Sequence, residues 1–140
     1  MEMTNKILKV HVGWSGKNFC CGLSEGIGGI VAVTAKTLAK LKEDFEESLR
    51  LHVEGCIQDG DSLPEYLVNG NYEIDYELDT AAMLRDTERF TTMAAISRAT
   101  GINQKQLSHY ANSLKVPREA QRQRIIEGLH EIGRQFLAVH

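Results

Sequence analysis

Apolar residues dominate every second position over much of residues 6–13, where Ile7, Leu8, Val10 and Val12 carry the hydrophobic weight. That period predicts a strand with one covered face. A turn rich in Gly and Ser (Gly13, Ser15, Gly16) separates it from a second run, Phe19–Leu23, a layout that suits a hairpin. Gly28 and Gly29 then lead into the β-branched residues 30–33, a third strand. The period next changes to three and four, with Leu38, Leu41, Phe45, Leu49 and Val53 apolar and Lys40, Lys42, Glu43, Glu46, Glu47 and Arg50 opposite. This predicts an amphipathic helix capped by Thr34 or Thr37 and ended by Gly55. Asp59, Gly60, Asp61 and Pro64 mark a loop. Residues 72–79 alternate strictly, with Tyr72, Ile74, Tyr76 and Leu78 on one face and Glu73, Asp75, Glu77 and Asp79 on the other. The expected order is βββαβ, an α+β arrangement with one helix packed across a small sheet.

Residues 80–140 hold no strand pattern. Short helices are expected over 81–88, 92–100 and 103–114, and a longer one from Pro117 to about residue 138. Pro117 is read at the first helical position, where its missing N–H costs nothing. Ile125, Ile126, Leu129, Ile132 and Phe136 form the apolar stripe of that last helix.

Charge sharpens the division. Residues 1–79 carry 7 Lys/Arg against 14 Asp/Glu, whereas residues 80–140 carry 9 against 5. Such a split predicts two domains, 1–79 and 80–140, with surfaces for different partners. An apolar fraction of 42% and a charged fraction of 25% suit a globular protein. No apolar run has the ~20 residues needed to span a bilayer. The first residues, Met1 to Lys6, lack the layout of a leader, and the expected location is the cytoplasm. Cys20, Cys21 and Cys56 form neither a metal-ligand spacing nor a disulfide framework, so no metal or cofactor is expected.

The chemistry concentrates in residues 93–110. Ser97 supplies a small residue where two helices cross, and Gly101 a turn tolerant of positive φ. Ile96, Ile102, Leu107 and Tyr110 fill the angle between the helices. Asn103 is a favoured N-cap, and Gln106 stands where the return bond of a capping box would come from. On the second helix Leu107, Tyr110, Ala111 and Leu114 make the inward stripe. Lys105, Ser108, His109 and Asn112 face outward, with Gln104 at the edge. That face has no carboxylate and consists of groups able to bond base edges. Between Ser97 and Arg124 there are six basic residues (Arg98, Lys105, Lys115, Arg118, Arg122, Arg124) against the single acid Glu119. A basic surround is what phosphate binding requires. The spacing resembles the helix-turn-helix of the lambda-repressor/Cro/Xre type, with Ser97 in place of the more usual Ala.

In the acidic half the residues themselves argue against a carboxylate nuclease. A ribonuclease H-like Mg²⁺ site needs an acid on the first strand, and neither residues 6–13 nor Phe19–Leu23 contain one. Glu73, Asp75 and Glu77 are spaced ~7 Å apart along their strand, too far for neighbours to share an ion unaided. They can instead form an electronegative wall.

The stretch His52-Val53-Glu54-Gly55 followed by residues 59–65 resembles the post-helix segment of HicB-type antitoxins. Residues 101–115 are similar to the helix-turn-helix form of that family. The sequence departs from the family at residues 28–34, where a Gly-Cys pair and a Gly-Asp-Thr-like turn are usual. The resemblance implies a partial ribonuclease H-like N-terminal domain followed by an all-α helix-turn-helix domain, and no catalysis. It further implies that the first domain neutralises a small basic RNA-cleaving toxin of the HicA type, with Glu73, Asp75 and Glu77 as its contacts. The second domain would bind double-stranded operator DNA and repress its own operon, as a homodimer or larger homo-oligomer. The DNA contacts would be Asn103, Gln104, Lys105, Ser108, His109 and Asn112, with Arg98, Lys115 and Arg118 on phosphates. The alternative is a stand-alone Xre-type regulator whose N-terminal domain senses a ligand or dimerises. The end of the last helix, residues 132–139, and the sheet edge are the two candidate dimer surfaces.

Overall fold

The computed structural model describes residues 6–140. Residues 1–5, most of the segment read for a leader, lie outside the described residues. The chain divides after Asp79 into two compact units, at the point where the sign of the charge changes. Its class is mixed α+β, with one four-stranded sheet and six helices among the described residues.

The first unit comprises strands β1 (Lys6–Trp14), β2 (Phe19–Leu23) and β3 (Val31–Ala35), helices α1 (Leu38–Gln58) and α2 (Glu65–Asn69), and strand β4 (Tyr72–Leu78). The sheet order is β3-β2-β1-β4, with β4 parallel to β1 and the other pairs antiparallel. Register sorts the side chains as alternation requires. Leu8, Val10 and Val12 pair with Ile74, Tyr76 and Leu78 on one face, while Lys9 and His11 pair with Asp75 and Glu77 on the other. The apolar face is covered by α1 through Leu41, Phe45, Leu49, Val53 and Cys56, all buried. Phe45 meets Tyr76 edge-on at 6.2 Å between ring centroids.

Several expectations for this unit are corrected. Of the two cap candidates only Thr37 serves, accepting from Lys40 N at 3.1 Å, because Thr34 lies inside β3. The third strand begins at Val31 and leaves Ile30 outside it, exposed. Gly55 does not end α1. One glycine weakens a helix but does not stop it, and the apolar stripe continues through it to Cys56. The stop comes where Asp61 N turns back to Cys56 O at 2.9 Å. The region beyond is not all loop. Pro64 opens the short helix α2, which buries Leu67, so the order is βββααβ. Five residues are too few to display a helical period.

The second unit is all helix: α3 (Thr80–Thr87), α4 (Met93–Thr100), α5 (Gln104–Ala111) and α6 (Glu119–Leu137). Its core is Leu84, Ile96, Ile102, Leu107, Tyr110, Ala111 and Ile125, with Met83, Met93, Leu129 and Ile132 partly buried around them. Helix α5 is shorter than expected. It stops at Ala111, Ser113 takes a left-handed conformation (φ 59°), and Leu114 N returns to His109 O at 2.9 Å. Leu114 is consequently 70% exposed and no part of the inward stripe. Pro117 precedes α6 rather than opening it, since Arg118 is the N-cap residue. Phe136 leaves the α6 stripe and stands exposed together with Leu137 and Val139. Among the described residues no helix is long and apolar enough to cross a membrane.

Candidate nucleic-acid interface

Helix α4 starts on Thr92, whose hydroxyl accepts from Ala95 N at 3.1 Å. It ends at Gly101, which sits at φ +75° and returns its N–H to Ser97 O at 2.8 Å. That conformation disfavours any residue with a Cβ. Around this turn the chain is pinned from three sides. Thr100 Oγ1 donates to Ile96 O at 2.7 Å and accepts from Ile102 N at 3.1 Å. Arg124, from α6, donates to Thr100 O at 2.7 Å and to Gln121 Oε1 at 3.1 Å. The tight approach in this unit is made by Gly128 of α6, where a Cβ would come within 2.4 Å of Thr100 Cγ2.

Helix α5 begins as its sequence predicts, with Asn103 Oδ1 accepting from Gln106 N at 2.8 Å. The second half of the expected capping box is not made. Gln106 Nε2 donates instead to Tyr110 OH at 2.8 Å, tying the side chain one turn onward along its own helix. Ile96, Ile102, Leu107 and Tyr110 are all buried beneath the helix.

The outward residues divide into two groups. Gln104 and Lys105, in the first turn of α5, are exposed, and no internal hydrogen bond or ion pair holds their side chains among the described residues. Ser108 and His109 are half-buried, and His109 keeps Nδ1 buried without a hydrogen-bond partner among the described residues. Asn112 is the C-cap residue of α5, and its amide Nδ2 donates to Ser108 O at 2.9 Å and to Ser108 Oγ at 3.3 Å. Its Oδ1 accepts from Arg85 of α3. The same guanidinium donates to Ala111 O at 3.0 Å and to Glu88 Oε1 at 3.0 Å.

The basic residues divide likewise. Arg122 donates to Thr80 Oγ1 at 3.1 Å and Arg124 braces the Gly101 turn, so both are committed inside the unit. Arg98, Lys105, Lys115 and Arg118 are exposed. Lys115 and Arg118 line an open cleft of about 380 Å³, shared with Gln106 and Tyr110 of α5. Sequence reasoning missed Arg85 and Gly128. A cation three residues before Glu88 reads as a surface pair, and a glycine in a helix reads as a weakness. Only tertiary placement distinguishes these two.

In the first unit, Glu73, Asp75 and Glu77 lie on the face of the sheet opposite α1. They are not equivalent. Lys9 Nζ, 3.5 Å from Glu77, offsets part of its charge, and His11 Nδ1 stands 3.6 Å away. Cys20 and Cys21 point to opposite faces, paired with Thr34 and Val33. Burial, with Cys20 beside it, pushes the Cys21 thiol up to about 11. Among the described residues no group of three or more His, Cys, Asp or Glu side chains is arranged to hold a metal ion. No family model, curated protein or solved structure matches the chain.

Proposed function

We propose that this chain is a HicB-type antitoxin that is also the repressor of its own operon. In this reading the second unit is an Xre/Cro-type helix-turn-helix domain that lays α5 in the major groove of operator DNA. The observation that carries it is the exposed, carboxylate-free first turn of α5, which bears Lys105 and sits on an apolar core, with Lys115 and Arg118 lining the cleft beside α5 and Arg98 exposed on α4. Main-chain donors at the capped start of α5 add a favourable dipole for a phosphate. A helix presented this way needs a partner that is anionic and carries hydrogen-bonding edges, and duplex DNA is both.

The first unit, with four strands and a covering helix, suits the partial ribonuclease H-like layout that the resemblance implies. Glu73 and Asp75, together with the partly compensated Glu77, give it an acidic face for a small basic RNA-cleaving toxin of the HicA type. Two-fold operators call for paired reading heads, and the exposed Phe136, Leu137 and Val139 offer a surface for a homodimer or larger assembly.

Selection of binding sequences from a random duplex library tests the DNA half. An enriched, two-fold symmetric sequence is expected, and failure to enrich any sequence at moderate salt removes the repressor reading. Co-expression with a short basic protein encoded beside it tests the other half. The chain is expected to relieve growth arrest by that protein, and the triple variant E73K/D75K/E77K to lose the relief while keeping its fold. Relief by the triple variant moves the interface off this face. A neighbour that is neither short nor basic favours the stand-alone regulator, whose N-terminal unit would sense a ligand or dimerise.

A further inference from the structure

The geometry points to Arg85 as a positioning residue that takes Asn112 and Ser108 out of base reading, shifting recognition toward Gln104 and Lys105. The inference rests on the DNA-binding reading and removes two side chains from its set of readers. It follows from counting donors and acceptors. Arg85 stands on α3, outside the helix that would enter the groove, and its side chain is only 24% exposed. Its guanidinium spends three N–H groups on Ala111 O, Asn112 Oδ1 and Glu88 Oε1. The planar fork suits a backbone carbonyl and a side-chain amide that are neighbours in sequence, which an ammonium cannot span.

With its oxygen held by Arg85, the Asn112 amide is fixed in one orientation. Its Nδ2 then points back along α5 to Ser108, where it meets both the carbonyl and the hydroxyl. An adenine edge is read by an Asn amide through its oxygen and nitrogen together, and an amide whose nitrogen serves Ser108 and whose oxygen is held by Arg85 is not free to turn and present that pair. The Ser108 hydroxyl, holding one amide proton, loses much of its freedom as an acceptor. Residues that look like readers on a helical wheel are thus part of a brace between α3 and the end of α5. Gln104 and Lys105 carry no such bonds among the described residues. They occupy the first turn of α5, the end that a docked helix places nearest the bases.

The experiment is sequence selection from a random duplex library by the full chain and its variants, with affinities for the selected site measured by fluorescence anisotropy. Wild-type protein must first enrich a sequence. If it enriches none, the DNA-binding reading itself falls. Given an enriched site, Gln104→Ala and Lys105→Ala are expected to change the preferred bases. Asn112→Ala and Ser108→Ala are expected to leave the preferred sequence unchanged, with affinity within about threefold. Arg85→Ala frees the Asn112 amide and is expected to shift preference at positions facing the end of α5, and R85A/N112A to restore the wild-type preference. A merely structural Arg85 would weaken all sequences alike and show no such restoration. Should Arg85→Ala fail to fold, Arg85→Lys keeps the charge without the fork and is read in the same way. The Asn112 side-chain amide protons supply a measurement without DNA, and are expected to exchange more slowly in wild type than in the Arg85 variants. A changed base preference in Asn112→Ala or Ser108→Ala with Arg85 intact would overturn the proposal, as would equal amide exchange in wild type and the Arg85 variants.

Discussion

Single residues of this chain act mainly by what they leave no room for. Gly128 is the clearest case, because adding a methyl group there usually helps a helix by about 1 kcal/mol. Here the new Cβ would press on Thr100 Cγ2, and Thr100 cannot swing aside because its hydroxyl is bonded to Ile96 O and Ile102 N. Overpacking of this kind costs ~1–3 kcal/mol, so Gly128→Ala is expected to lower stability by about 1 kcal/mol in urea denaturation. The double variant G128A/T100S keeps the hydroxyl and deletes the offending methyl, and should recover most of the loss. Burial works on titration in the same unforgiving way. Desolvation of Cys21 and Tyr76 pushes both ionisations up, for Tyr76 with help from Glu46, so the native state holds these protons more tightly than the unfolded chain. Their contribution to stability is whole below the ordinary thiol value of 9.0 and is lost as the pH climbs through about 11 for Cys21. The denaturation midpoint of the first unit should therefore fall across that window. A Cys21→Ala, Tyr76→Phe variant should show a flatter fall, and an equal slope in the variant would assign the effect to other groups.

At the scale of elements, what could be read from sequence was whatever depends on neighbours along the chain. The cap Asn103, the choice of cap between Thr34 and Thr37, and the alternation of β4 are local properties, and Asn103, Thr37 and the strand appear where their residues predict them. The ends of helices were less legible, because they are settled by competition with tertiary packing. Gly55 looked like a stop, yet burial of Cys56 one residue later outweighs the modest cost of a glycine in the helix. Leu114 looked like the last member of an inward stripe, but the helix had already ended at Ala111. Of the outward face of α5, its position and lack of acids could be read, whereas the Arg85 brace joins residues 26 and 27 apart and leaves no local trace. The same contrast gives a prediction. Gly55 in α1 and Gly133 in α6 have nothing within 4 Å of where a Cβ would stand, unlike Gly128. Gly55→Ala and Gly133→Ala are each expected to stabilise their helices by about 0.5–1 kcal/mol, since the methyl meets no neighbour and the unfolded chain loses freedom. Thermal denaturation of the two variants checks this, and a lower midpoint in either would show that its glycine has a packing role.

For the molecule as a whole, the proposed DNA binding turns on charge, and the cations that matter are those whose side chains are free to reach a phosphate rather than held in place by bonds within the unit. The second unit has six basic residues from Arg98 to Arg124, but Arg122 and Arg124 spend theirs on Thr80, Thr100 and Gln121. In the proposed complex that leaves Arg98, Lys115 and Arg118 to displace counterions from the phosphates, with Lys105 turned to the bases. Each phosphate neutralised contributes about −0.9 to the slope of log affinity against log salt, so up to three contacts give about −2.7 per protomer. Lys115→Ala and Arg118→Ala should each make the slope shallower by about 1 while weakening all sequences alike. Arg124→Ala should leave the slope nearly unchanged and act through the Gly101 turn, lowering stability instead. The test separates a surface that is merely basic from one whose cations are arranged around α5. If Arg124→Ala moved the slope as much as Lys115→Ala, binding would follow total charge, and the division between bracing and presented cations would have no functional meaning.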